Sequence, residues 1–225
     1  MRHVLPHETC QRNRPRVTDY TANTFAEAAR WALRSDAPET WDHSDDDMNV
    51  KARMIPEGVQ PKAAAVLVGL IEQAGSLQVF LTQRHGGLSR HAGQISFPGG
   101  RIDPGESALA AALREAEEET GLPASHVNVL GFLDGYLTVT GYFVVPVVAL
   151  LTDGFAVAPR PGEVDEVFQV PLSFLLDRGN CETHTREWNG LTRHYYAYHF
   201  GERYIWGATA GMIKNLGDRL HAAGT

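Results

Sequence analysis

The sequence predicts a mixed fold, α/β or α+β, in which strands outnumber helices. Three observations carry this. Short apolar runs at residues 64–71, 77–83 and 142–150 have the length of strands and are bounded by turn-forming residues. One stretch rich in Ala, Leu and Glu, residues 107–120, has helix punctuation at both ends. A row of alternating aromatics, 194–199, reads as a further strand.

Taken in order, residues 1 to about 50 are polar and mixed, and are read as an N-terminal extension, partly mobile, ahead of a main domain at 51–225. Within it, 21–34 has the pattern of an amphipathic helix with Phe25, Ala29 and 31–33 near one face, and 42–48 is acidic and turn-like. The strands at 64–71 and 77–83 are split by the turn-prone 73–76. Pro104 and Gly105 precede the helix at 107–120, and Gly121 stands where a left-handed C-cap belongs. Strands follow at 126–133 and 142–150, with a short one at 167–170. A helical turn at 171–176, the aromatic strand and a closing helix at 208–220 complete the chain. Tyr195, Tyr196 and Tyr198 are read as strand packing, with a homodimer interface in view, rather than as a surface for stacking bases.

Composition limits the function. The hydrophobic share of 43% and charged share of 21% are ordinary for a soluble protein. The apolar runs are far too short for a membrane span. No basic start followed by an apolar core announces export, and two widely spaced cysteines suit a reducing cytoplasm. A net charge of −7 argues against a nucleic-acid partner, which calls for a basic face. It also means that a phosphorylated small molecule is repelled unless cations or local arginines intervene.

The informative stretch is 100–122, GRIDPGESALAAALREAEEETGL. On a helix Glu115 and Glu119 are four residues apart and Glu118 is three from Glu115, so the three carboxylates share a face and repel. By composition such a run is usually a solvated acidic surface. A divalent cation between the carboxylates is the other way to tolerate it, and oxygen ligands suit Mg²⁺ or Mn²⁺. Ala108, Leu109, Ala112, Leu113 and Ala116 are expected to form the opposite, packing face. Arg114 and Glu106 are placed to orient the ligands. Gly99 and Gly100 let the backbone approach a ligand, and a carbonyl there is a further metal donor. No histidine pair has a helical metal spacing, and there is no G-x-S-x-G elbow and no P-loop.

Gly100, Glu106, Arg114, Glu115, Ala116, Glu118, Glu119, Gly121 and Leu122 fill every fixed position of the Nudix box, the first apolar slot being a small residue. The chain therefore resembles the Nudix hydrolase family from about residue 49 to 220. The resemblance implies an α/β/α sandwich with a mixed sheet, and metal-assisted attack of water on a nucleoside diphosphate linked to another group. It implies that Glu115 and Glu119 are the principal metal ligands, with Glu118 a further one. The base varies within the family, and Glu118, Glu163 and Glu166 all stand as candidates.

Upstream, 81–100 reads LTQRHGGLSRHAGQISFPGG. Leu81, Thr82, Arg84, Gly93 and 97–100 resemble the signature of the coenzyme A pyrophosphatase branch of that family. Two positions depart. His85 replaces a usual Ser or Ala, and Ser89 replaces a usual Arg, with Arg90 one residue late. Arg84 and Arg90 are the expected holders of phosphate. The substrate expected is coenzyme A or an acyl derivative, cleaved to 3′,5′-ADP and a 4′-phosphopantetheine. The alternatives are ADP-ribose, a dinucleotide or another nucleotide, and, from another class, a non-catalytic sensor on the same fold.

Overall fold

Two strands, β2 (Lys62–Gln73) and β8 (Tyr142–Leu151), lie side by side and parallel through the middle of the protein, with Lys62 to Ile71 aligned against Tyr142 to Leu151. Both are apolar on both faces, which is why they read as unbroken hydrophobic runs rather than alternating ones. The computed structural model describes residues 20–49, 55, 58, 60–87, 92–188 and 190–224.

Around this pair a nine-stranded mixed sheet is built. β3 (Ser76–Arg84) returns antiparallel to β2. The turn between them has Ala74 and Gly75 at φ of 49° and 78°, the double left-handed geometry of a two-residue hairpin. β4 (Ile95–Ser96) and β9 (Val164–Pro171) flank β3, and β5 (Gly99–Arg101) pairs with the start of β2. β6 (Val127–Phe132) and β7 (Gly135–Leu137) pair antiparallel with β8. β1 (Trp41–Ser44) closes that edge parallel to β7.

Residue alternation along β2 assigns the two faces. Ala65, Leu67 and Ile71 point to α2 (Ala108–Thr120), meeting Ala111, Ala112 and Ala116. Ala64, Val68 and Leu70 point to the other layer, formed by α1 (Ala22–Ala32), α3 (Leu172–Leu176) and α4 (Ala208–Gly224). The result is an α/β/α sandwich with a mixed sheet, as expected. A second sheet, β10 (Glu182–Trp188), β11 (Leu191–Phe200) and β12 (Arg203–Trp206), is fully antiparallel. It buries Tyr198 and Ile205 in the core that α4 also joins. No helix among the described residues is long and apolar enough to cross a membrane.

The stretch read as an N-terminal extension includes α1 and β1, while residues 1–19 and 50 of it lie outside the described residues. Thr21 caps α1 reciprocally with Thr24, and Phe25, Ala29 and Ala32 are buried against the core. Burying a phenylalanine stabilises by roughly 2–3 kcal/mol. Arg219 of α4 donates to the Ala32 carbonyl and to both oxygens of Asp134 at 2.7 Å, and Arg34 pairs with Asp134 at 3.2 Å. Trp31 faces solvent, 83% exposed, contrary to the expected face, because the helix turns 200° between Ala29 and Trp31. Asp42 lies in β1 rather than in a turn, and β9 starts at Val164, earlier than its apolar core suggests.

Candidate active site

Helix α2 is fixed at both ends by its own sequence. Ser107 accepts the Ala110 N–H at 3.1 Å, and Gly121, at φ 74°, returns its N–H to the Glu117 carbonyl at 2.9 Å. Three buried alanines let the helix lie close to β2. Glu115 sits three residues from Ala112 and Glu119 three from Ala116, so each carboxylate is only about 60° from a packed alanine. They therefore border the packing face instead of opposing it, which corrects the expectation from sequence. Ala111 is buried in place of Leu109 and Leu113, which are only partly covered.

β5 forms the floor. The bonds Leu67 N–H to Pro98 O and Ile102 N–H to Ala63 O hold the flanking residues to β2, so Gly99 occupies the alternate position, whose polar groups turn away from the ladder. Its N–H donates to Glu119 Oε2 at 3.1 Å. A side chain at 99 would collide with the Ala65 carbonyl at 2.4 Å. At Gly100 a β-carbon would stand 2.4 Å from the Glu115 carboxyl carbon, so that carboxylate lies directly on the glycine.

Arginines surround these carboxylates. Arg114 grips Glu106 with two bonds of 2.9 and 3.0 Å, donates to Glu115 Oε1 at 3.0 Å and to the Arg101 carbonyl at 3.0 Å. The bonds to Glu106 and then Glu115 hold its guanidinium firmly charged. Arg84 approaches Glu119 to 3.7 Å, and its buried Nε has no hydrogen-bond partner among the described residues. Glu119 is 5% exposed. Burial pushes its carboxyl up to about 7; the Gly99 N–H and Arg84 pull it down, and Glu115 and Glu163 push it up.

Arg160 is the residue that sequence reasoning missed. Ala158 and Arg160 donate their N–H groups to the last carbonyls of α2, Thr120 at 2.8 Å and Glu119 at 3.0 Å. This seats the Arg160 side chain 3.3 Å from Glu118 and 3.5 Å from Glu163. An arginine between two prolines, 159–162 being PRPG just ahead of Glu163, was the available signal. Glu166, one of the candidate bases, is instead held by Arg203 at 2.7 and 3.0 Å. His85, the departure from the usual signature, pairs with Asp165, and Gly86 N–H reaches the same carboxylate at 2.9 Å.

The structure thus gathers Glu115, Glu118, Glu119, Glu163, Arg84, Arg114, Gly99 and Gly100 around one end of α2. Arg90 lies outside the described residues. Five carboxylates, counting Glu106, face three guanidinium groups, counting Arg160. This excess of hard oxygen donors beside a buried, charge-disfavouring Glu119 fits Mg²⁺ or Mn²⁺ and does not fit a thiolate metal. Glu117, about 160° from both Glu115 and Glu119, is exposed. Changing Glu117 to Gln should leave kcat within about twofold of wild type, whereas Glu115→Gln should lose most of it. Steady-state rates at saturating Mg²⁺ check this, and a large loss at 117 would place the active face elsewhere.

The sequence model of the NUDIX domain matches residues 60–188. The chain is 41% identical over 166 residues to Nudix hydrolase 15, mitochondrial, of Arabidopsis thaliana, a match covering 70% of this chain and 58% of that protein. It thus spans less than two thirds of that relative's length. It is 39% identical over 163 residues to NudL of Escherichia coli (strain K12), an uncharacterized Nudix hydrolase, covering 71% of this chain and 83% of that one. Among solved structures it is similar to a MutT/nudix family protein from Enterococcus faecalis, with a TM-score of 0.48, 20% identity, and coverage of 78% and 68% of the two chains.

Proposed function

The chain belongs to the Nudix hydrolase family, and as an enzyme of that family we propose that it hydrolyses the diphosphate of coenzyme A or an acyl-coenzyme A with Mg²⁺ or Mn²⁺, in the cytoplasm. The observation that carries the reading is the convergence of Glu115 and Glu119 with Arg84 at the Gly99–Gly100 floor, with Glu163 near enough to raise the Glu119 carboxyl. Water attacks one phosphorus, the P–O–P bond breaks, and the products are 3′,5′-ADP and a 4′-phosphopantetheine.

Glu115, Glu119 and Glu118 would hold the metal, with the outward-turned Gly99 carbonyl beside them. When bound, the metal neutralises phosphate charge, polarises the phosphoryl oxygen and acidifies a bound water. Arg114, locked to Glu106, keeps Glu115 in a single orientation. Arg84 supplies a guanidinium fork for a phosphate, and its unpartnered Nε supports that role. Glu163 is the favoured proton acceptor, with Arg160 positioning it, and Glu118 is the alternative. Glu166 is disfavoured because Arg203 occupies both of its oxygens.

Coenzyme A with Mg²⁺ or Mn²⁺ should release 3′,5′-ADP, and faster than ADP-ribose is cleaved. Arg84→Ala should raise KM for coenzyme A by roughly 10–100-fold, the worth of one hydrogen bond to a charged group. Arg90→Ala should be milder. Product analysis and KM for the two variants decide it. No 3′,5′-ADP from coenzyme A sinks the substrate; an Arg90 variant more damaged than the Arg84 variant sinks the assignment of the phosphate contact.

A further inference from the structure

The outer face of the second sheet carries a group of metal-ligating side chains that the hydrolytic site does not use. Glu182 and His184 are two residues apart on β10, so they share a face. β11 runs antiparallel to it and brings in His199 from the same side, diagonal to Glu182 across the ladder. One ligand atom from each of the three lies within 4.8 Å of the others. Directly opposite Glu182 stands Ala197, a small and fully buried residue that adds no bulk between the three side chains.

The bonding around His184 is what a metal ligand requires. Tyr204 donates its hydroxyl hydrogen to Tyr195 at 3.1 Å, so toward His184 Nδ1, at 2.9 Å, it accepts. Nδ1 therefore carries a hydrogen, and Nε2 presents toward Glu182 Oε2 at 2.6 Å. A carboxylate oxygen and an imidazole nitrogen that close must share a proton, and a divalent cation takes that proton's place. The His199 ring lies 4.7 Å from that of Tyr204 and 5.5 Å from that of His184. Metal–nitrogen and metal–oxygen bonds of about 2.1 Å put tetrahedral ligands about 3.4 Å apart. The spacings here, from 2.6 Å to at most 4.8 Å, bracket that figure.

We propose that Glu182, His184 and His199 form a second metal site, selective for a zinc-class transition ion, with Tyr204 holding His184 in its ligating tautomer. Two imidazoles and one carboxylate select Zn²⁺, Co²⁺ or Ni²⁺ over Mg²⁺, which separates this site from the all-oxygen one on α2. Three protein ligands leave a fourth position to water, and Glu182 and His199 are exposed, so the ion enters from solvent. Bound there, it ties β10 to β11.

The test uses the full chain, stripped with chelator, then titrated with Co²⁺ or Zn²⁺ in excess Mg²⁺. Wild type should bind one ion that Mg²⁺ does not displace, with the visible absorption of low-coordinate cobalt. His184→Ala with His199→Ala should remove one equivalent. Tyr204→Phe should keep the site and weaken it about 10–100-fold. Glu182→Gln, of the same shape, repeats the test without removing a ring, and circular dichroism confirms the fold of each variant. Equal uptake by wild type and the double histidine variant overturns the site, as does loss of the bound ion to Mg²⁺. A Tyr204→Phe protein that binds as wild type does overturns the role given to Tyr204.

Discussion

Replacing Glu119 by Gln should abolish most turnover while making the chelated protein more stable. The rate loss should reach at least about two orders of magnitude, since even the outer partners of metal ligands cost about 10–100-fold. The stability gain follows from burial, which lifts the Glu119 carboxyl from 4.5 to about 7. In the unfolded chain this acid ionises near 4.5; in the folded chain it holds its proton until about 7. Below 4.5 both states are protonated and the residue is neutral in its effect. As pH rises from 4.5 through 7 the unfolded state is increasingly favoured, and above 7 the full penalty is present. A shift of about 2.5 units at about 1.4 kcal/mol each sets that penalty at about 3 kcal/mol. Gln keeps an oxygen for the Gly99 N–H and carries no charge. Denaturant unfolding in chelator should therefore show the variant ahead of wild type at pH 8 and nearly level with it at pH 4.5. Near-normal kcat at saturating Mg²⁺ would falsify the ligand assignment, and equal stability at both pH values would dispose of the burial argument.

Gly100→Ala should give a folded protein with kcat down about 100-fold. The added methyl group meets the Glu115 carboxyl at 2.4 Å, the movable end of a side chain, so the carboxylate yields rather than the backbone. A displacement of about 1 Å in a positioned group is enough for a loss of that size. Gly99→Ala is the contrast. Its methyl meets the Ala65 carbonyl at 2.4 Å and the Val66 Cα at 2.6 Å, both backbone, so the pairing of β5 with β2 must break and thermal stability should fall. Melting curves and kcat for the pair separate the two effects. Wild-type kcat in Gly100→Ala would mean that the reaction does not need Glu115 where it lies.

The sequence exposed α2 and its C-cap because Gly121 acts locally, while Ser107, read as the first helical residue, is instead the N-cap; it exposed β2, β3 and β8 because strands covered on both faces must be apolar throughout. β4 and β5, of two and three residues, carry no periodicity; only pairing with β3 and β2 makes them strands. The box located the carboxylates but not their side of the helix, since the alanines that set the packing face turn out to flank Glu115 and Glu119. Arg160 reaches Glu118 across 42 residues of chain, and no local rule connects them. Among the tyrosines, alternation was legible and direction was not: Tyr198 points into the core, while Tyr195 joins His184 and Trp206 on the outer face.

The layer shared by α1 and α4 has a consequence for the order of folding. Arg219 and the Ala32 carbonyl are 187 residues apart, so the first described helix waits for the last. α1 is made before α4, which packs against it, so this layer cannot close until α4 has been synthesised. Closing so long a loop is slow rather than prohibitive, because its entropic cost grows only with the logarithm of its length. The sandwich therefore closes only once α4 has been made, and a nascent chain released before α4 carries an open apolar face.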